Sequence, residues 1–257
     1  MNILTKLMCG IFPFIIIGCK KDESLSPPEN RKFVEIKVNS ESDINVLPIS
    51  VMYRSNSCFI ERYDSKGKKY KEDGYNSIQK NVKVAGLISN ASIPIDGGGD
   101  CKWKLSNVTV NLMYDKNKFD KEINTSIRNS IVLVFDDNLP QNYNGNIENI
   151  SSEDVKIKRE YFPWIDTDFM GNHGKNISLI MLGDRNLYGY GVKNANSVHI
   201  DLISNFKDIV YSEGPKKKSI NNKNYTVFKY PDGTIDAHGK DFPDFKNFKQ
   251  FQKMMVS

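Results

Sequence analysis

The stretch Trp103–Tyr114 places the tightest limit on the fold. Val108, Val110, Leu112 and Tyr114 fall on every second position, the spacing of a strand with one face in a core. Ile131-Val132-Leu133-Val134-Phe135 is a continuous apolar run, suited to a strand buried on both faces. Further strand candidates are Phe33–Val38, Leu47–Tyr53, Cys58–Tyr63 and Val82–Leu87, then Val155–Tyr161, Ile177–Leu182, Val198–Ile203, Ile209–Tyr211 and Tyr225–Tyr230. Short strands punctuated by Ser, Asn, Asp and Gly predict a mainly β protein: one or two antiparallel β-sandwich-like domains with little helix. One helix is expected in Asp241–Met255, where Phe242, Phe245, Phe248 and Phe251 recur every third residue. A second is considered at Lys118–Arg128, with Asn124, Thr125 and Ser126 against it. Asp136–Ser152 is rich in Asn, Asp and Gly and broken by Pro140. It divides an expected N-terminal β domain, 33–140, from a C-terminal β-rich domain, 141–257.

The N-terminus carries a different signal. After Lys6 the chain is apolar and small from Leu7 to Gly18, and Lys20-Lys21-Asp22-Glu23 ends the run. A charged start, a short apolar stretch and a small residue before a cut describe a secretory signal peptide, here 1–18. About a dozen residues fall short of the roughly 20 that a membrane-spanning helix needs. Ile16-Ile17-Gly18-Cys19 resembles the lipobox of bacterial lipoproteins. That resemblance implies cleavage before Cys19 and acylation of its thiol and new amino group. Two or three acyl chains give stable anchoring where one does not. The competing reading is an ordinary signal peptide with a chance cysteine. Lys20 after the cysteine implies sorting to the outer membrane, facing the periplasm, rather than to the inner membrane. Residues 19–32, with Ser24, Ser26, Pro27 and Pro28, read as a flexible tether.

Of the four cysteines, Cys9 leaves with the signal and Cys19 is the acylation candidate. Cys58 and Cys101 remain, and an oxidising compartment allows them one intramolecular bridge. The rival, a metal or catalytic cysteine site, has neither close spacing nor a nearby histidine. The formal charge of +5 is mild. The lysines of Lys66-Gly67-Lys68-Lys69 and Lys216-Lys217-Lys218 sit among turn residues, and no aromatic-interleaved basic face of the kind nucleic acid needs is visible. No nucleic-acid partner is expected.

Catalytic signatures are missing from the chain. His173, His199 and His238 have no metal-binding or catalytic spacing, and nucleophile-elbow, phosphate-loop and metalloprotease motifs do not occur. No enzyme activity, metal or cofactor is expected. Asp96-Gly97-Gly98-Gly99-Asp100 opens onto a strand rather than a helix, so it reads as a tight turn bringing Cys101 to Cys58, its glycines supplying positive φ. Asp166-Thr167-Asp168 lacks the later carboxylates of a calcium loop. The segment Tyr161–Met170 gathers Trp164, Asp166, Asp168 and Phe169 around Pro163, a composition of protein-recognition loops. These four are the candidate partner-binding residues. The alternative is that Trp164 and Phe169 close a β core.

One string supports a family assignment. Asp73-Gly74-Tyr75, then Asp96-Gly97-Gly98-Gly99-x-Cys101-x-Trp103-x-Leu105-Ser106-Asn107-Val108, resembles periplasmic immunity lipoproteins that accompany phospholipase effectors of the type VI secretion system. Tyr53-Arg54-Ser55-Asn56-x-Cys58 upstream fits the same pattern. So do Tyr161-Phe162-Pro163-Trp164, Tyr211-Ser212-x-Gly214-Pro215-Lys216 and Tyr230-Pro231-Asp232-Gly233 downstream. The resemblance implies a non-enzymatic protein that binds and blocks an incoming phospholipase, and it transfers no inhibitory residues. A glycan-binding envelope lipoprotein is the alternative.

Overall fold

The computed structural model describes residues 21–119, 122–138, 143, 145–169, 174–216 and 225–245. The expected signal peptide, Cys19, His173, Lys217, Lys218 and the expected helix beyond Phe245 lie outside them. In chain order the strands are β1 (Phe33–Asn39), β2 (Ile44–Val46), β3 (Ile49–Tyr63), β4 (Lys69–Lys80), β5 (Lys83–Ala85), β6 (Ile88–Pro94), β7 (Asp96–Gly98), β8 (Trp103–Tyr114), β9 (Thr125–Ile127) and β10 (Asn129–Val134). They continue as β11 (Ile147–Asn149), β12 (Asp154–Phe169), β13 (Lys175–Leu182), β14 (Leu187–Gly191), β15 (Ser197–Ser204), β16 (Val210–Glu213), β17 (Val227–Lys229) and β18 (Ile235–Asp236). The mainly β, sandwich-like fold expected from the sequence is what forms.

One sheet holds ten strands in the order β18-β17-β16-β12-β15-β1-β6-β5, with β13 on β12 and β9 on β13. The other holds eight, β11-β14-β10-β8-β3-β4, with β2 and β7 on β8. Both are mixed. β1 and β12 flank β15 in parallel, and β10 pairs with β14 in parallel. Parallel neighbours need long crossovers, and these join strands far apart in sequence. The division at 140 therefore does not separate two bodies: β1 and β6 share a sheet with β12 and β15, and β8 and β10 share one with β14.

A single large core lies between the sheets. Val34, Ile36 and Val38 of β1, Val155 and Ile157 of β12, and Val198 and Ile200 of β15 enter it from one side. Val51 and Tyr53 of β3, the Val108–Val110–Leu112 stripe of β8, and Ile131 and Leu133 of β10 enter from the other. The opposite face of β10 is covered too, since Val132 and Val134 pack with Tyr143 in a small separate cluster. Each apolar side chain so buried contributes about 1.5–3 kcal/mol relative to exposure, which is why the alternation in the sequence is obeyed so closely here.

Two segments depart from the sequence expectation. The described part of Lys118–Arg128 is not helical: a single 3₁₀ turn at Lys116–Lys118 is followed by β9, which pairs with β13. Thr125, being β-branched, suits that strand. Residues 21–32 are not a free tether either. Leu25 packs against the main core, the Ser26 amide donates to the Gly97 carbonyl at 2.9 Å, and the Trp103 indole donates to the Glu23 carbonyl at 3.1 Å.

Candidate functional site

The Cys58–Cys101 bridge forms, with its Cα atoms 5.3 Å apart. A register shift between Ser55 and Ile60 lifts Cys58 out of the regular pleat of β3, as a bulge does. Ser55 is buried beneath it. Its hydroxyl donates to the Cys101 carbonyl and accepts the amides of Ser57 and Cys58, at 3.1 and 3.0 Å. On the neighbouring strand only glycine fits at Gly74, because a Cβ there would lie 1.7 Å from the Cys58 carbonyl oxygen. The glycine turn then admits the N-terminal segment. Gly98 has φ +59°, and a Cβ on it would come within 2.0 Å of the Ser26 carbonyl oxygen. The expected turn role of the glycines is thus present, with a second purpose that the sequence reading missed.

Beyond this knot β3 and β4 run on as a two-stranded arm. Residues 61–71 are all exposed, and Phe59, Tyr63 and Tyr70 are 41%, 68% and 48% accessible. The arm is closed by Asp64, whose carboxylate accepts the amides of Lys66 and Lys68 at 2.9 and 2.8 Å, and by Gly67 at φ +76°. The strand β4 itself was not expected from the sequence. Its residues, KYKEDGYNSIQK, are mostly polar, and pairing with β3 rather than any apolar stripe holds them extended.

The four candidate partner-binding residues separate into two groups. Trp164 is buried in a second core with Phe162, Leu182, Val210, Phe228 and Tyr230. Its indole donates to the Ser212 hydroxyl at 2.7 Å, and that hydroxyl donates in turn to the half-buried Asp166. Burial pushes the Asp166 carboxyl above the usual range, the Ser212 hydrogen bond opposes the shift, and the neighbouring Asp168 adds to it. Asp168 is exposed and Phe169 is partly exposed, with the Lys216 ammonium 5.5 Å from the Phe169 ring centroid. Trp164 therefore fills a core, and Asp168 with Phe169 form the accessible end of β12.

Pro163 sits inside β12 where β15 pairing has ended at Tyr161 and β16 pairing begins only at Trp164. Only β13 pairs there, so a residue without an N–H is tolerated. From this point Tyr161 and Ile165 face the main core while Phe162 and Trp164 face the second one.

A third feature had no sequence signal. Arg159 lies with its guanidinium carbon 4.6 Å from the Tyr188 ring centroid and 5.2 Å from that of Tyr190. It donates to the Tyr190 hydroxyl and pairs with Glu148 at 3.7 Å. Its Nε is buried with no hydrogen-bond partner among the described residues. Tyr188 donates to Asp184, and burial raises the Tyr188 phenol above its ordinary value. A cleft of about 280 Å³ opens over Arg159, Tyr188 and Tyr190, and one of about 380 Å³ lies beyond Asp184 and Arg185 toward Phe242 and Phe245. Among the described residues no three His, Cys, Asp or Glu side chains gather in a metal-binding cluster. His199 lies on β15, and His238 is exposed beside Asp236 at 2.9 Å.

In comparison with known proteins, no family model, no curated protein and no solved structure matches the chain.

Proposed function

We propose that this chain is a lipid-anchored immunity protein of the periplasm, which binds and inhibits a type VI secreted phospholipase effector. The supporting observation is the meeting in space of the residues that carry the resemblance. Tyr53, Ser55, Cys58, Gly74, the glycine turn, Cys101 and Trp103 join in one knot around the bridge. Trp164, Ser212 and Tyr230 join in the second core. A pattern scattered over most of the chain answers to two coherent tertiary units. An inhibitor acts by covering a surface, and the accessible end of β12 at Asp168 and Phe169 offers one, with Trp164 and Asp166 as the support behind it. Cys19 supplies the anchor to the outer membrane.

The test is co-expression of the full chain with a periplasm-directed phospholipase encoded beside it. Protection of growth and loss of lipase activity are expected, along with membrane release when Cys19 is replaced by Ala. Absence of protection at equal expression overturns the proposal. Asp168→Lys and Phe169→Asp should each weaken protection while the fold survives.

The Arg159 cleft favours a second reading, an envelope lipoprotein that binds a glycan. Its tyrosine rings and the partly exposed Arg159 guanidinium would serve a polar ligand. Calorimetric titration with envelope oligosaccharides, repeated on Arg159→Met, separates this reading from the first.

A further inference from the structure

The β3–β4 arm is the least explained part of the molecule. A two-stranded hairpin without a third strand is marginal in water, yet this one extends five residues past Cys58, about 17 Å at strand rise. It does so bearing aromatic side chains with no core to enter. Register assigns those side chains to faces. Tyr63 stands opposite Lys69 and Glu61 opposite Lys71, while Arg62 stands opposite Tyr70. The Lys71 ammonium lies 3.8 Å from the Phe59 ring centroid. One face of the arm therefore presents Phe59, Glu61, Tyr63, Lys69 and Lys71, and the other presents Arg62, Tyr70 and Glu72. Residues 62–71 hold five cationic side chains against Asp64 alone. Glu61 and Glu72, just outside, pair with Lys69 and Arg62 at 2.7 and 3.1 Å.

The chain's own path says what lies nearby. The Lys21 ammonium donates to the Ser57 carbonyl at 3.3 Å, and the Asp22 carbonyl is 3.7 Å from the Cys101 sulfur. The N-terminal segment thus leaves the body at the root of the arm. Cys19 is two residue steps from Lys21, a reach of about 7 Å between their backbones at full extension. A membrane holding acylated Cys19 is thus tied to the root of the arm and not to its tip, about 17 Å further on, and an arm that meets that membrane with one whole face lies along it.

We propose that the β3–β4 arm is a membrane-lying element. Its Phe59–Tyr63–Lys69–Lys71 face rests in the headgroup layer of an anionic bilayer and sets the orientation of the body above it. Tyrosine prefers this layer, where its ring is apolar and its hydroxyl wet. The lysines reach phosphate oxygens while their stems stay on the apolar side. The docked residues 22–26 make the arrangement stiff, where a free tether would leave orientation random. The proposal rests on the acylation of Cys19.

The experiment uses the mature lipidated protein reconstituted into vesicles of phosphatidylglycerol and bromine-labelled phosphatidylethanolamine. Tryptophan is placed at one position at a time, Tyr63→Trp and Tyr70→Trp, and the emission of the parent protein, from Trp103 and Trp164, is subtracted. Flotation with the vesicles reports the anchor, and bromine quenching reports the arm. The expected result is blue-shifted, quenched emission at position 63 and little quenching at position 70. Replacing Lys69 and Lys71 by Glu should remove the quenching without changing flotation. Flotation with no quenching at 63, or with quenching at 70 instead, overturns the proposal and leaves the anchor standing. Failure to float overturns the acylation on which both rest.

Discussion

Removing the Cys58–Cys101 bridge is the sharpest test of how the two sheets are tied together. The covalent loop it closes leaves the eight-stranded sheet on β4, enters the ten-stranded sheet through β5 and β6, and returns on β7, ending just before β8. The bridged residues are 43 apart in sequence. For that loop, cross-linking lowers the entropy of the unfolded chain enough to stabilise the fold by about 4 kcal/mol. In a domain of this size each kcal/mol moves the thermal midpoint by roughly 2–4 °C, so roughly 8–16 °C is at stake. The double variant Cys58→Ala with Cys101→Ala avoids stray thiols and places no hydroxyl in the wholly buried Cys101 site. Thermal unfolding followed by far-ultraviolet circular dichroism, on the variant and on the parent with and without reductant, reads the shift. The reduced parent and the variant should both fall by that amount and still fold. A midpoint within about 2 °C of the oxidised parent would refute the bridge as a constraint on the unfolded chain.

Three more perturbations probe separate parts of the molecule. Gly98→Ala forces a Cβ against the Ser26 carbonyl and a side chain into a positive φ that costs about 1–2 kcal/mol. The N-terminal segment should detach, seen as faster trypsin cleavage at Arg31 and Lys32; unchanged cleavage rates would contradict the docking. Leu112→Ala removes a fully buried side chain of β8 and should cost about 2–5 kcal/mol by denaturant titration. Because burial raises the Asp166 carboxyl above its unfolded value of 3.8, the folded state holds its proton longer than the unfolded chain does. Stability from this group is then greatest below pH 3.8 and declines as pH rises through the elevated value. Asp166→Asn should flatten that decline and leave the variant at least as stable as the parent at neutral pH, read from urea midpoints across the pH range.

The parts of the fold legible in the sequence are those where burial imposes a period. The even positions of β8 and the unbroken run of β10 could be assigned because one face, or both, had to be apolar. The same logic failed for β4. Its polar residues carry no stripe, and backbone pairing with β3 alone keeps it extended. It failed again in β12, where Pro163 argues for an interruption, and the strand continues because β13 still pairs on through that point. At the candidate site, composition singled out Asp168 and Phe169, and the structure leaves them exposed and partly exposed at the end of β12. Trp164 was found with them and proved to be core, since a buried tryptophan and a displayed one have the same neighbours in sequence. The Arg159 cleft left no trace at all: Glu148, Arg159, Asp184, Tyr188 and Tyr190 come from four separate segments.

By itself the sequence determined the β class, the pairing of Cys58 with Cys101, and the turn made by the glycines before Cys101. These depend on local spacing, on a count of available thiols, and on which residues accept a positive φ. Only the tertiary structure decided that strands from both sides of residue 140 share both sheets, that residues 22–26 are bound to the body, and that the arm projects from the point where the N-terminal segment emerges. Those outcomes depend on which distant backbones pair and which buried surfaces meet, and such choices are settled by the energy of the whole assembled core.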